Sequence, residues 1–163
     1  MAIVTLVVAG CGGSDDSGDD VARGAPSASD FPSAEGRTIE QVLNDETPSD
    51  KVVSPAGLVF ETGVNRYPFG IFNPDRSQVE DADVALYFAK SPQSPVEGPF
   101  PAEVVSLETK AAYRSASADE ANSFYRAEVD FDRNGPWLGV ALIKSGDSIE
   151  AARVTPSPVV GQF

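Results

Sequence analysis

The stretches ADVALYFAK, residues 82–90, and FYRAEVDFD, residues 124–132, alternate their side chains with a period of two. In the first, Val84, Leu86 and Phe88 point one way and Ala85, Tyr87 and Ala89 the other. In the second, Tyr125, Ala127, Val129 and Phe131 face a core, while Arg126, Glu128, Asp130 and Asp132 face water. Extended chain puts residues i, i+2 and i+4 on one side, so both stretches are predicted strands.

The same rhythm extends in both directions. Residues 52–53 and 57–60 read as a first strand broken at Pro55, and residues 64–72 (VNRYPFGIF) as a second, with Pro68 marking an edge or bulge. Residues 91–101 form a Pro-rich loop, and residues 102–109 a strand with Val105 and Leu107 on one face. Residues 111–122 are polar and suit a loop or one helical turn. The turn Arg133-Asn134-Gly135-Pro136 leads into residues 137–144 (WLGVALIK), with Trp137 expected between two sheets. Ser145-Gly146-Asp147 turns the chain into residues 148–155. About seven short strands with turn signals every ten residues or so predict an all-β fold, an immunoglobulin-like antiparallel β-sandwich over residues 51–163.

Ahead of this domain the composition changes. Residues 12–50 carry ten acids against two arginines, a charge of −8, whereas residues 51–163 carry fifteen acids and ten bases, a charge of −5. A Gly-, Ser- and Asp-rich segment of one charge sign cannot offset its ordering entropy, so residues 11–50 are expected to be a disordered acidic tether. Ile39, Val42 and Leu43 interrupt it at helical spacing, which predicts a short helical turn able to pack on the domain.

Residues 2–9 (AIVTLVVA) are too few to span a bilayer, which takes about 20 residues, and suit the apolar core of a signal peptide over residues 1–10. Val8-Ala9-Gly10-Cys11 resembles the lipobox of bacterial lipoproteins, which implies cleavage before Cys11 and lipid attachment on its sulfur. No Lys or Arg precedes the apolar run, so a truncated signal is expected. The expected location is the cell membrane, lipid-anchored and facing outside the cytoplasm.

Composition also excludes chemistry. The chain of 163 residues contains no histidine, which removes Ser-His-Asp and Cys-His triads and most zinc and copper sites. Cys11 is the single cysteine, so no intramolecular disulfide can form. No nucleophile elbow or phosphate-binding loop occurs, and no enzymatic activity or cofactor is expected. A net charge of −13 repels nucleic acid.

Candidate contact residues are Arg66, Tyr67, Phe69, Phe72 and Phe100, because aromatics beside arginine are common in protein interfaces. The competing role for the aromatics is core filling. Asp75, Glu80, Asp81 and Asp83 are weak calcium candidates at a strand start. Asp130-Phe131-Asp132-Arg133-Asn134-Gly135 matches half of a calcium loop, but its twelfth position is Ala141, and the turn explains it better.

Residues 124–140 (Y-x-A-x-V-x-F-x-x-x-G-P-W-x-x-V from Tyr125) resemble the penultimate hairpin of small bacterial extracytoplasmic immunoglobulin-like domains of the FixH/YtkA-like and copper-resistance-like kind. The copper-binding members use His and Met ligands, which this domain lacks, so the resemblance implies the fold without the metal. Residues 65–70 and the ending Val159-Val160-Gly161-Gln162-Phe163 also resemble lipoproteins in which such a sandwich precedes a thioredoxin fold. That resemblance implies an accessory module of a redox lipoprotein whose catalytic domain is not in this chain. The expected function is a non-catalytic, membrane-anchored module contacting an extracytoplasmic protein or adjacent domain. The alternative is a calcium-stabilised adhesion or ligand-binding module.

Overall fold

The computed structural model describes residues 23–107 and 121–161. Cys11 and its surroundings, and most of residues 111–122, lie outside them. A short 3-10 turn (Ala28–Asp30) and one α-helix, α1 (Ile39–Asn44), precede the strands. These are β1 (Thr47–Pro48), β2 (Val52–Pro55), β3 (Val59–Phe60), β4 (Gly63–Phe72), β5 (Asp83–Ala89), β6 (Glu97–Ser106), β7 (Ser123–Phe131), β8 (Gly135–Pro136), β9 (Leu138–Ser145), β10 (Ser148–Arg153) and β11 (Val159–Val160). Among the described residues no helix is long and apolar enough to cross a membrane.

Eight strands form one curled sheet in the order β1-β10-β9-β5-β6-β7-β4-β2, and β3-β11-β8 form a small second sheet. β1 and β2 are two parts of one segment. Its start runs parallel to β10, and its later part pairs antiparallel with β4. A parallel bridge joins Val53 to Val154, and Thr155 N–H donates to the Val53 carbonyl at 3.1 Å. The segment therefore stitches the two edges of the curled sheet together. Taking it as the first of seven strands, one layer holds the first, second, fifth and fourth strands. The other holds the third, sixth and seventh. This is the immunoglobulin-like sandwich order, with the layers also joined where β5 pairs β6.

The alternation predicted from sequence sets the core. Val84, Leu86 and Phe88 of β5 meet Tyr125, Ala127, Val129 and Phe131 of β7 between the layers, with Tyr67, Phe69 and Ile71 of β4 and with Trp137. The first strand divides as Pro55 suggested: β2 joins the large sheet and β3 the small one. Residues 97–101, read as loop, are already strand, because Phe100, Ala102 and Val104 continue one inward row. The face carrying Val105 and Leu107 is the outer one.

The expected tether is corrected from Arg23 onward. Residues 23–46 are not a free spacer but an arm lying on the sheet. The cause is the second face of β5, where Ala85, Tyr87 and Ala89 are as apolar as the first and, with Val140, Leu142 and Ala151, need cover of their own. Phe31, Ile39 and Val42 supply it. Helix α1 starts at a capping box: Thr38 Oγ1 accepts from Gln41 N–H while Gln41 Oε1 accepts from Thr38 N–H at 2.8 Å. The Tyr87 hydroxyl donates to the Pro32 carbonyl at 2.6 Å, and Arg153 pairs with Glu40 at 3.0 Å.

Lys51 and Ser49 bind the Glu150 carboxylate across the stitched seam at 2.6 and 2.8 Å. These hydrogen bonds, Lys51 first, hold its carboxyl below the usual range. A depressed carboxyl contributes stability above its unfolded pKa, about 4.3, and that contribution is lost as pH falls through the lower folded value. Glu150→Gln should therefore narrow the stability gap between the wild type at neutral pH and at pH about 3. Urea midpoints of the two proteins at both pH values measure this, and an unchanged gap would remove Glu150 from the acid response.

Candidate functional site

The sandwich has two outer faces, and they differ. That of β5, β9 and β10 lies beneath the arm. That of β2, β4, β7 and β6 carries a patterned surface whose rows follow from the strand register. Val52 stands opposite Phe72, Pro68 opposite Arg126, Arg126 opposite Glu103, Arg66 opposite Glu128, and Val64 opposite Asp130. Val64 is 71% exposed and Val52 51%. Arg66, Glu128 and Asp130 are exposed, while Phe72, Pro68, Glu103 and Arg126 are half-buried.

Local geometry fixes this surface. The Phe72 ring folds back over Gly70, where a Cβ would stand 2.7 Å from it. Arg126 Nε donates to Glu103 Oε1 at 2.6 Å, and a second guanidinium nitrogen reaches the same oxygen. A part-exposed pair of this kind contributes about 0.2–1 kcal/mol, enough to order the two side chains more than to hold the fold. Alternating cationic, anionic and apolar side chains on a rigid sheet fit a protein contact better than a small-molecule pocket.

Of the five contact residues inferred from sequence, Arg66 and Phe72 lie on this face. Phe100 sits half-buried at its margin, on an inward row of β6 with its ring 6.3 Å from that of Phe88. Tyr67 and Phe69 do not belong to it: they point inward and are fully buried. Tyr67 stacks on Phe60 at 4.8 Å and Phe69 on Tyr125 at 5.4 Å. Burial pushes the Tyr67 hydroxyl well above its ordinary pKa and that of Tyr125 up to about 12. The parity of β4 separates the two sets, since residues 67, 69 and 71 share one side and residues 66, 68 and 72 the other. Val52, Val64, Pro68, Glu103, Arg126 and Glu128 share this face and were not among the residues inferred from sequence. The outward alternation of β7 was the signal for Arg126 and Glu128.

The calcium candidates are not brought together. Asp75 caps its own turn, accepting from the Ser77 hydroxyl at 2.6 Å and the Ser77 N–H at 2.9 Å, and these bonds lower its pKa. Asp83 pairs with Arg23, whose guanidinium also donates to the Asp81 carbonyl at 2.7 Å. Among the described residues no group of three His, Cys, Asp or Glu side chains is placed to hold a metal ion. Asp132 is engaged by Arg133 at 2.8 Å, as a turn requires.

That turn is fastened from beneath. Lys90 Nζ donates to the Asn134 carbonyl at 2.6 Å and lies 4.5 Å above the Trp137 ring. Burial, then the neighbouring Arg133, lowers the Lys90 pKa. Burial, then the Asp132 charge, raises that of Glu97. A separate cleft of about 550 Å³ opens along the seam between Leu43, Val52 and Arg153. Its charged groups are already spent on the Lys51–Glu150 and Arg153–Glu40 pairs.

Compared with known proteins, the chain matches no family model and no curated sequence.

Proposed function

We propose that this chain is a non-catalytic module, held by a lipid on Cys11 and facing outside the cytoplasm, that contacts another extracytoplasmic protein or an adjacent domain through the outer face of β4, β6 and β7. The observation that carries this reading is the inequality of the two sheet faces. One is closed by the chain's own arm, and the other presents Val64, Arg66, Phe72, Arg126 and Glu128 on a rigid support. The path of the chain is in accord with it. Arg23 is held where β5 begins and β6 ends, through Val104 N–H and Asp83. Gly161 leaves at the opposite end, bonded to Phe60 and set against Asn134. The start of the arm borders this face at β6 and β7, where Ala25 and Pro26 line a cleft with Glu103, Arg126 and Glu128.

Two measurements test the reading. Cys11→Ser should move the protein from the membrane fraction to the soluble fraction, and continued membrane retention would remove the lipid anchor from the proposal. A photo-crosslinking residue placed at Arg66 or Phe72 should give a discrete adduct in the native membrane, whereas one at Asp147 on the distant β9–β10 turn should give none. Equal labelling from all three positions, or none from any, would reject this face as the contact surface.

A further inference from the structure

We propose that the arm of residues 23–44 is an exchangeable strap, and that the outer face of β5, β9 and β10 is a second docking surface whose occupant is the same arm from another copy of this chain. Three observations carry the inference. First, the arm does not belong to the inner core: the cluster between the layers contains no residue before Val53, while Phe31, Ile39 and Val42 belong wholly to the outer cluster. The stitched sandwich thus closes without them. Second, the arm is held mainly by side chains. Its backbone meets the sheet layers at Arg23–Val104, and meets the β5–β6 connection through a Thr38–Pro95 bridge and a bond from Val96 N–H to the Arg37 carbonyl at 3.0 Å. Third, the arm reaches β1 through Asp45 and Glu46 alone, so this link determines whether it folds onto its own sheet or a neighbour's.

The occupant follows from the packing. The face formed by Ala85, Tyr87, Val140, Leu142 and Ala151 is complementary to Phe31, Ile39 and Val42 at their observed spacing, and the Tyr87 hydroxyl finds its acceptor in the Pro32 carbonyl. An identical arm makes identical contacts whichever chain supplies it, which is the condition for exchange between copies. An unoccupied face would expose fully apolar sheet, so opening favours re-occupation over an uncovered state.

Complementation between full chains tests this. Val42→Asp spoils the arm and leaves the face intact, while Leu142→Asp spoils the face and leaves the arm intact. Each alone should remain monomeric and bind an apolar dye, with the near-ultraviolet dichroism of Trp137 showing an intact inner core. Mixed in equal amounts, they should form a heterodimer of doubled mass, and dye binding should fall towards half. A mixture that behaves as the sum of its parts would overturn the proposal. Deleting Asp45 and Glu46 gives an independent answer if Leu142→Asp does not fold. That chain should become a dimer that binds no dye, and a monomer or a dye-binding aggregate would equally overturn exchange.

Discussion

Trp137→Ala should lower the unfolding free energy by about 3–5 kcal/mol, the cost of emptying a fully buried aromatic site that cannot collapse. The ring is enclosed in the inner core with its centroid 5.2 Å from that of Phe131. It also joins two connections of the fold. Its indole N–H donates to the Arg133 carbonyl at 3.1 Å, fastening the β7–β8 turn, and its backbone N–H donates to Pro158 at 3.0 Å, fastening the approach to β11. Lys90 sits above it, bonded to the same turn. Trp137→Phe keeps most of the volume and loses the indole donor, so its cost should be nearer about 1–2 kcal/mol. Denaturant unfolding of the three proteins measures both values. Equal stability of wild type and Trp137→Ala would place the ring outside the core.

The second large effect belongs to Gly98, where the β5–β6 register shifts. Its φ of +130° lies where residues with a Cβ rarely go, and a Cβ built there would stand 2.8 Å from the Leu86 carbonyl oxygen and 3.2 Å from the Tyr87 ring. The oxygen is backbone of a central strand and cannot swing aside. Gly98→Ala combines a strained backbone, about 1–3 kcal/mol, with overpacking, about 1–3 kcal/mol. The expected loss is about 2–6 kcal/mol from these two sources. Gly146 makes the control, since its Cβ would meet nothing within 4 Å. Gly146→Ala should cost only the strain of its φ of +62°, about 1 kcal/mol. Matching midpoint shifts for the two variants would mean that the bulge relaxes freely.

What the sequence made legible was the register of single strands. The alternation in β5 and β7 was sufficient to place Val84, Leu86, Phe88, Tyr125, Val129 and Phe131 inward, because side-chain direction in a strand is local. The arm was harder to see, since its order is not a local property. Residues 23–46 are polar enough to read as a spacer, and only the apolar second face of β5, far along the chain, gives Phe31, Ile39 and Val42 something to cover. The open outer face was half visible. Arg66 and Phe72 were found because arginine beside aromatics draws attention, and Tyr67 and Phe69 were included because composition was weighed before parity. Glu103 and Arg126 lie on different strands, and their pairing depends on a register that no short window contains.

The stitched seam sets how this molecule would carry mechanical load. Tension entering at the amino-terminal side and leaving beyond β11 would first peel away the arm. It would then drag the 47–55 segment along β10, its parallel neighbour. The bonds at Ser49, Val53 and Thr155 would be sheared together, not unzipped one after another. In a domain strung in line this way, the resistance to force would be set by the rate of breaking that single row.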